Sequence, residues 1–141
     1  MKKLTVRGIS THEESKGEWK YGYLIEDEGI SYIINSVVEA NDEYITIGEW
    51  CSVEPETVGI STGLFDKKGV EIFEGDIIRY GTNVAEIKRH PTLGFYTVVD
   101  GRERFFGDEM SIDDFEEVAE EVSKTFEIIG NIYENPELLK N

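Results

Sequence analysis

Cysteine is almost absent from this chain of 141 residues, and its scarcity excludes two ways of stabilising a small domain. A single cysteine, Cys51, rules out an internal disulfide and also a zinc site built from several cysteines. Cys51 lies in an apolar patch between Trp50 and Val53, and neither histidine is near it in sequence. We therefore predict a buried, inert thiol and not a nucleophile.

Long hydrophobic runs are also missing. No apolar run approaches the roughly 20 residues that a membrane-spanning helix needs. The segment Met1–Arg7 begins like a signal peptide but has no apolar stretch behind it. Hydrophobic residues still make up 39% of the chain, which is enough for a folded core. We expect a folded protein of the cytosol.

Basic residues are few, since 14 Lys and Arg stand against 30 Asp and Glu for a net charge of −16. This balance argues against direct binding to a nucleic-acid backbone, which requires a basic surface. The acids are unevenly placed: eight of them, and no base, occur between Asp108 and Glu121.

Recognisable catalytic motifs are missing as well. The chain has no glycine loop followed by Lys-Ser/Thr, no Gly-x-Ser-x-Gly elbow and no His-Glu-x-x-His pattern. His12 falls in a polar loop and His90 precedes a proline in a turn, so we expect both to be plain surface residues. The sequence predicts a protein without a reaction centre and without a cofactor.

Glycine and β-branched residues are plentiful, above all in Glu54–Tyr80. Asp66–Gly69 separates two apolar stretches, and this spacing of Asp and Gly is typical of a hairpin turn. Gly75 interrupts the next apolar run, which predicts a bend or a bulge. Pro55 restricts the preceding residue to an extended conformation and predicts a joint between two β units.

The rest of the chain is predicted to be mainly antiparallel β-structure. Two apolar stretches flank a turn at Asp27–Gly29, which predicts a hairpin near the N-terminus. Tyr44–Trp50 is a further candidate strand. Other strands are expected in a meander and at the closing end of the fold, at residues 84–88, 95–99, 102–106 and 126–133.

One helix is predicted at residues 111–123. Ser111–Asp114 has the form of a capping box, with Asp in place of the usual Glu. Apolar residues then recur at helical spacing, at Ile112, Phe115, Val118, Ala119 and Val122.

Several blocks of the sequence resemble, in order, the YopX family of small proteins encoded by phages and prophages. They are Trp19–Leu24, Pro55–Gly59, Thr62–Leu64, Asp66–Gly69, Ile72–Ile78 and Ile129–Leu138. The resemblance implies a mainly β fold with an SH3-like barrel towards the C-terminus. We therefore expect an N-terminal β segment over residues 1–55 and an SH3-like barrel domain over 56–141 that contains the helix. The family has no established biochemical role, so the resemblance supplies no catalytic residues.

Three carboxylates are candidate metal ligands. Glu74 and Asp76 flank Gly75, and both would approach Asp66 if the hairpin folds back, which would let them bind a hard cation through oxygen. The alternative, which we favour, is that Asp66 and Asp76 accept backbone hydrogen bonds in turns and that Glu74 is solvated.

Aromatic residues offer a second kind of candidate site, because Trp19, Tyr21, Tyr23 and Trp50 could form an exposed binding surface. Trp19, Tyr21 and Tyr23 would share one face of a strand. Lys20 and Gly22 lie on the opposite face, so we expect the aromatic face to be buried in the core. This pattern does not place Trp50, which stays a candidate binding residue.

The acidic helix has three interpretations. Its acids can form a solvated polar face, a docking surface for a basic partner protein, or a mimic of DNA phosphates. The candidate binding residues are Asp113, Glu116, Glu117 and Glu120.

The function predicted from these observations is that of a non-catalytic phage or prophage accessory protein, acting as a protein-interaction module. One alternative is an acidic DNA mimic that inhibits a host nucleic-acid-binding protein, and a second is a metal-dependent enzyme that uses carboxylates. Edge strands of a small barrel would also permit self-association.

Overall fold

A computed structural model describes residues 5–106 and 115–139 of the chain. The chain divides into two compact units, Met1–Ile60 and Ser61–Asn141. The division lies a few residues beyond Pro55, where the sequence predicts a joint. Glu54 has the extended conformation expected before proline, with φ −70° and ψ 119°.

The first unit is an antiparallel sheet in the order β4-β3-β2-β1-β5. The predicted hairpin at Asp27–Gly29 is confirmed, because Asp27 pairs with Ile30 and the two residues between them have left-handed backbones. A small core of Val6, Ile33 and Val53 lies on one face of this sheet. The strands are β1 (Val6–Ile9), β2 (Trp19–Asp27), β3 (Ile30–Ala40), β4 (Ile45–Val53) and the beginning of β5 (Gly59–Phe65).

The second unit contains seven further strands and a helix within the residues described. The strands form two three-stranded antiparallel sheets, β12-β7-β8 and β11-β10-β9, and β5 continues into a hairpin with β6. Their bounds are β6 (Glu71–Phe73), β7 (Asp76–Tyr80), β8 (Asn83–Glu86), β9 (Lys88–His90), β10 (Gly94–Val99), β11 (Arg102–Phe105), α1 (Phe115–Thr125) and β12 (Glu127–Asn131).

The SH3-like barrel expected over residues 56–141 is not confirmed, because the strands described in this unit do not close into a hydrogen-bonded barrel. Ile87 separates β8 from β9, where the sequence predicts one continuous strand over residues 84–88. Its amide donates to the carbonyl of Asp76, its own carbonyl accepts from Gly75, and its side chain is fully buried. The predicted meander therefore begins at β9, and β8 pairs with β7 instead.

The turns predicted in the central run are confirmed. Gly69 has a φ of 80° and donates its amide to the carbonyl of Asp66, which closes the β5–β6 hairpin. Gly75 has a φ of 93° and separates β6 from β7. Glycine tolerates these left-handed conformations, which explains the spacing seen in the sequence.

Helix α1 packs its apolar stripe on the core of the second unit. Val122 is buried with Leu64, Ile72 and Ile78, and Val118 and Ala119 lie against the same cluster. The helix predicted over residues 111–123 is confirmed from Phe115 and continues to Thr125; the predicted cap at 111–114 lies outside the described residues. No helix in the described ranges is long and apolar enough to cross a membrane.

Candidate functional site

The side chain of Asp66 accepts hydrogen bonds from three backbone amides, and the residue is 2% exposed. Its Oδ1 accepts the amides of Lys68 and Val70, each at 2.9 Å. Its Oδ2 accepts the amide of Ile128 at 3.1 Å, so the side chain connects the β5–β6 turn to β12. These bonds use the oxygens that a cation would need, and Asp66 is a structural residue of the turn.

The two other candidate ligands are also engaged. Asp76 is buried and its Oδ2 accepts the amide of Phe73 at 2.8 Å, as expected for a turn residue. Glu74 is not simply solvated, because it accepts a hydrogen bond from Nε of Arg89 at 3.2 Å in an ion pair. Within residues 5–106 and 115–139, no group of three or more His, Cys, Asp or Glu could hold a metal ion.

Glu86, which the sequence patterns do not single out, is a partly buried carboxylate on β8. Burial raises the pKa of Glu86; Lys88 opposes this and Glu74 adds to it.

The acidic face of α1 is exposed to solvent. Glu116, Glu117 and Glu120 are all exposed, and Glu120 bonds Nζ of Lys124 at 2.9 Å. The hydrogen bond from Lys124 lowers the pKa of Glu120, and the charge of the same lysine adds to the effect. Asp113 lies outside the described residues. The helix therefore presents a solvated face on which one candidate acid is already paired.

The histidines lie next to turns, and His90 is the last residue of β9. His12 is exposed beside a short 3₁₀ turn. His90 is half-buried, and its Nδ1 accepts the amides of Thr92 and Leu93, each at 3.1 Å. The ring of His90 thus caps its own turn.

Cys51 is 7% exposed, which confirms the predicted burial. Its Sγ lies 3.1 Å from Oγ of Ser10 and donates to the carbonyl of Ser52 at 3.3 Å. The thiol is thus a packed polar contact inside the first unit.

The prediction that the aromatic face of β2 is buried is wrong. Tyr21 and Tyr23 are 46% and 47% exposed, whereas Trp19 is half-buried beneath the guanidinium of Arg7 at 4.3 Å. The buried face of this sheet is the aliphatic one, where Leu24 pairs with Ile33. Branched aliphatic side chains fill that narrow core, and the larger rings remain on the opposite side.

Trp50 is the most prominent feature of the aromatic side. It is 60% exposed and meets the ring of Tyr32 edge to face, with ring centroids 5.6 Å apart. Together they border a groove of about 340 Å³, whose remaining walls are Ile25, Asp27, Ile34 and Ile47. Trp50 also borders two adjacent hollows on the same unit. The first unit thus has an apolar groove with an exposed tryptophan in its wall.

The distal part of the β3–β4 hairpin continues this surface. Every residue from 35 to 50, a segment that we call the arm, is exposed. Pairing of β3 with β2 ends at Ile34, so the arm is a two-stranded ribbon. The large apolar side chains that it exposes are Val37, Val38, Tyr44, Ile45, Ile47 and Trp50.

The charge around the groove and the arm has one sign. Residues 21–60 contain nine Asp or Glu and no Lys, Arg or His. Glu39, Asp42, Glu43 and Glu49 lie on the arm itself, and Asp27 lines the groove. The charged residues of the groove and the arm are therefore all acidic, whereas Lys20 and His12 line one of the adjacent hollows that Trp50 also borders.

Sequence reasoning assigned the acidity to the helix and overlooked this stretch. The signal was available, because the interval between Lys20 and Lys67 contains no basic residue. Its acids are spread along strands instead of forming a run, so a search for dense charge does not find them.

A solved structure and a family model each match nearly the whole chain. A crystal structure of protein EF1440 from Enterococcus faecalis is similar, with a TM-score of 0.56 and 28% sequence identity; the match covers 98% of this chain and 99% of that one. Among curated proteins, none matches this sequence. The family model described as YopX protein matches residues 15–140. The chain belongs to the YopX family.

Proposed function

We propose that this protein is a non-catalytic protein-interaction module, encoded by a phage or prophage and acting in the host cytosol. The observation that carries the proposal is the groove at Trp50, where exposed aromatic and aliphatic side chains of β2, β3 and β4 meet on one sheet face. An exposed apolar patch of this kind is typical of a binding surface.

Trp50 has the properties of a central binding residue. Tryptophan is enriched among residues whose truncation weakens protein interfaces most, by about 2 kcal/mol or more. A loss of about 2 kcal/mol corresponds to roughly 30-fold weaker binding. Because Trp50 is 60% exposed in the free protein, its removal should disturb the fold little.

The experiment is affinity capture from a host lysate with the tagged full chain, Trp50→Ala and Leu93→Ala. Leu93 is also 60% exposed but lies in a loop of the second unit, which makes it a matched control. We expect a saturable protein partner with the wild type and with Leu93→Ala, and its loss with Trp50→Ala. Capture that survives Trp50→Ala, or no saturable partner together with substrate turnover in a broad activity screen, would refute the proposal.

DNA mimicry is the competing function, and the same capture distinguishes it. It would require the exposed acids of α1, with a nucleic-acid-binding protein recovered and then displaced by duplex DNA. Neutralisation of Glu116 and Glu117 should leave capture unchanged if Trp50 carries the binding, and should abolish it under mimicry.

A metal-dependent activity through Asp66, Glu74 and Asp76 has an equally direct test. A ligand that binds only the folded state raises the unfolding temperature. Because these carboxylates already accept protein hydrogen bonds, we expect Mg²⁺, Mn²⁺ and Ca²⁺ to cause no shift.

A further inference from the structure

The arm carries a more specific inference, which rests on the proposed function and names the chemistry of the partner. We infer that the arm binds an extended segment of a partner protein in which apolar residues alternate with Lys or Arg, added as a further strand beside β4. The argument has three independent parts.

The first part is that the apolar side chains of the arm are exposed to solvent. An isolated two-stranded ribbon is only marginally stable in water. The arm nevertheless exposes apolar side chains on a ribbon that no third strand joins within the described chain, including Val38 at 71% and Ile45 at 64%. A surface of this kind gains stability when a partner covers it.

The second part is that β4 has an open edge. It is the last strand in its sheet, and on its outer side only its C-terminal end is paired, through a bridge between Ser10 and Val53 and a bond from the amide of Thr11 to the carbonyl of Ser52. Among the described residues, no strand pairs with this edge over residues 45–51. Unpaired edges accept extended peptides as added strands, with backbone hydrogen bonds for affinity and side-chain contacts for specificity.

The third part is charge complementarity. The arm carries Glu39, Asp42, Glu43 and Glu49 and no base. A second copy of the chain would bring the same acids together, and the net charge of −16 opposes that association further. A basic partner segment meets the opposite charge.

The pattern within that segment follows from strand geometry. Side chains alternate between the two faces of a strand, so every second residue of an added strand would lie on the same side as Trp50 and Ile47. Apolar residues suit those positions, and Lys or Arg suit the positions between them, on the face of Glu49, which alternates with Trp50 along β4.

The test is a selection from a displayed library of random nine-residue peptides, long enough to cover the open edge of β4 over residues 45–51, against the full chain. Two further baits remove the same number of charges at different places. The arm variant is Glu39→Gln, Glu43→Gln and Glu49→Gln. The helix variant is Glu116→Gln, Glu117→Gln and Glu121→Gln, all at exposed positions.

We expect the wild type and the helix variant to enrich the same peptides, with apolar residues alternating with Lys or Arg. The arm variant should bind the best of them, made synthetically, roughly tenfold more weakly, because three modest ion pairs combine. Enrichment of neutral or acidic peptides, no enrichment, or equal weakening by both variants would overturn the inference.

Analytical sedimentation of the wild type and of Trp50→Ala tests whether a second copy of the chain binds the arm instead. We expect a monomer for both. A dimer that Trp50→Ala dissociates would assign the arm to a second copy and overturn the inference. A lysate partner that depends on Trp50, combined with no basic peptide enriched, would refute this inference and leave the proposed function standing.

Discussion

Replacement of Asp66 by Ala tests the structural role that its hydrogen bonds assign to it. The substitution removes the acceptor for three amides, those of Lys68, Val70 and Ile128. A hydrogen bond to a charged group contributes about 1.5–3 kcal/mol. Lys68 and Val70 are exposed, so their amides can partly rehydrate when the carboxylate is absent. We therefore expect Asp66→Ala to lower the free energy of unfolding by about 3 kcal/mol, well below the full sum.

Two further variants test whether the loss of stability comes from the carboxylate oxygens of Asp66. Asp66→Asn retains one acceptor oxygen and the shape of the side chain, and we expect a loss of about 1–2 kcal/mol. Lys67→Ala is the control, because the contribution of Lys67 to this turn is its backbone amide, which bonds the carbonyl of Phe126 at 2.8 Å and is unaffected. That variant should stay within about 0.5 kcal/mol of the wild type.

The assay is urea unfolding followed by far-UV circular dichroism, together with amide hydrogen exchange. Both tryptophans lie in the first unit, so their fluorescence reports on that unit and the dichroism is needed for the second. Exchange at Ile128 should accelerate in Asp66→Ala. A loss under about 1 kcal/mol, or equal losses for the Ala and Asn variants, would refute the assigned hydrogen bonds.

Two other predictions concern the second unit. Gly75→Ala should destabilise this unit by about 2 kcal/mol, because the φ of Gly75 is 93° and an added Cβ would lie 3.2 Å from the ring of Tyr133. Gly69 has a φ of 80° and open space around it, so Gly69→Ala should cost only about 1 kcal/mol. Thermal unfolding of the two variants measures both losses. Hydrogen bonds from Arg79, and then from Lys68, hold the pKa of Glu127 below its ordinary value of 4.5. The ion pairs of Glu127 therefore stabilise the fold above pH 4.5, and their contribution disappears as the pH falls through the lowered pKa. Urea unfolding of Glu127→Gln should therefore show a deficit near neutral pH that vanishes in acid, and a deficit independent of pH would contradict the assignment.

The sequence was most informative where local chemistry decides the structure. Asp66 and Gly69 specify their turn with little help from the rest of the chain, and the hairpin forms as predicted. The apolar stripe of α1 likewise identifies its buried face. Both signals act over a few residues and depend on backbone geometry or helical spacing.

The predictions from sequence were wrong or incomplete where contacts between segments distant in sequence determine the structure. The rings of Tyr21 and Tyr23 have the alternation of a buried strand face, but the choice of face depends on Ile33 of the neighbouring strand. The break at Ile87 depends on hydrogen bonds to Gly75 and Asp76, which a pattern search cannot anticipate. The open surface at Trp50 is visible only once the strands are paired.

The lack of basic residues between Lys20 and Lys67 has a practical consequence for work on this protein. Trypsin cleaves after Lys and Arg, so it has no site in the arm even when that segment is unfolded. Resistance of this region to trypsin therefore reveals nothing about its order, and chymotrypsin, which cleaves after Tyr44 and Trp50, is the informative protease. Reagents that couple to lysine amines also leave the arm untouched. A chain immobilised through its lysines is therefore held by other parts of its surface, with the β3–β4 hairpin unmodified.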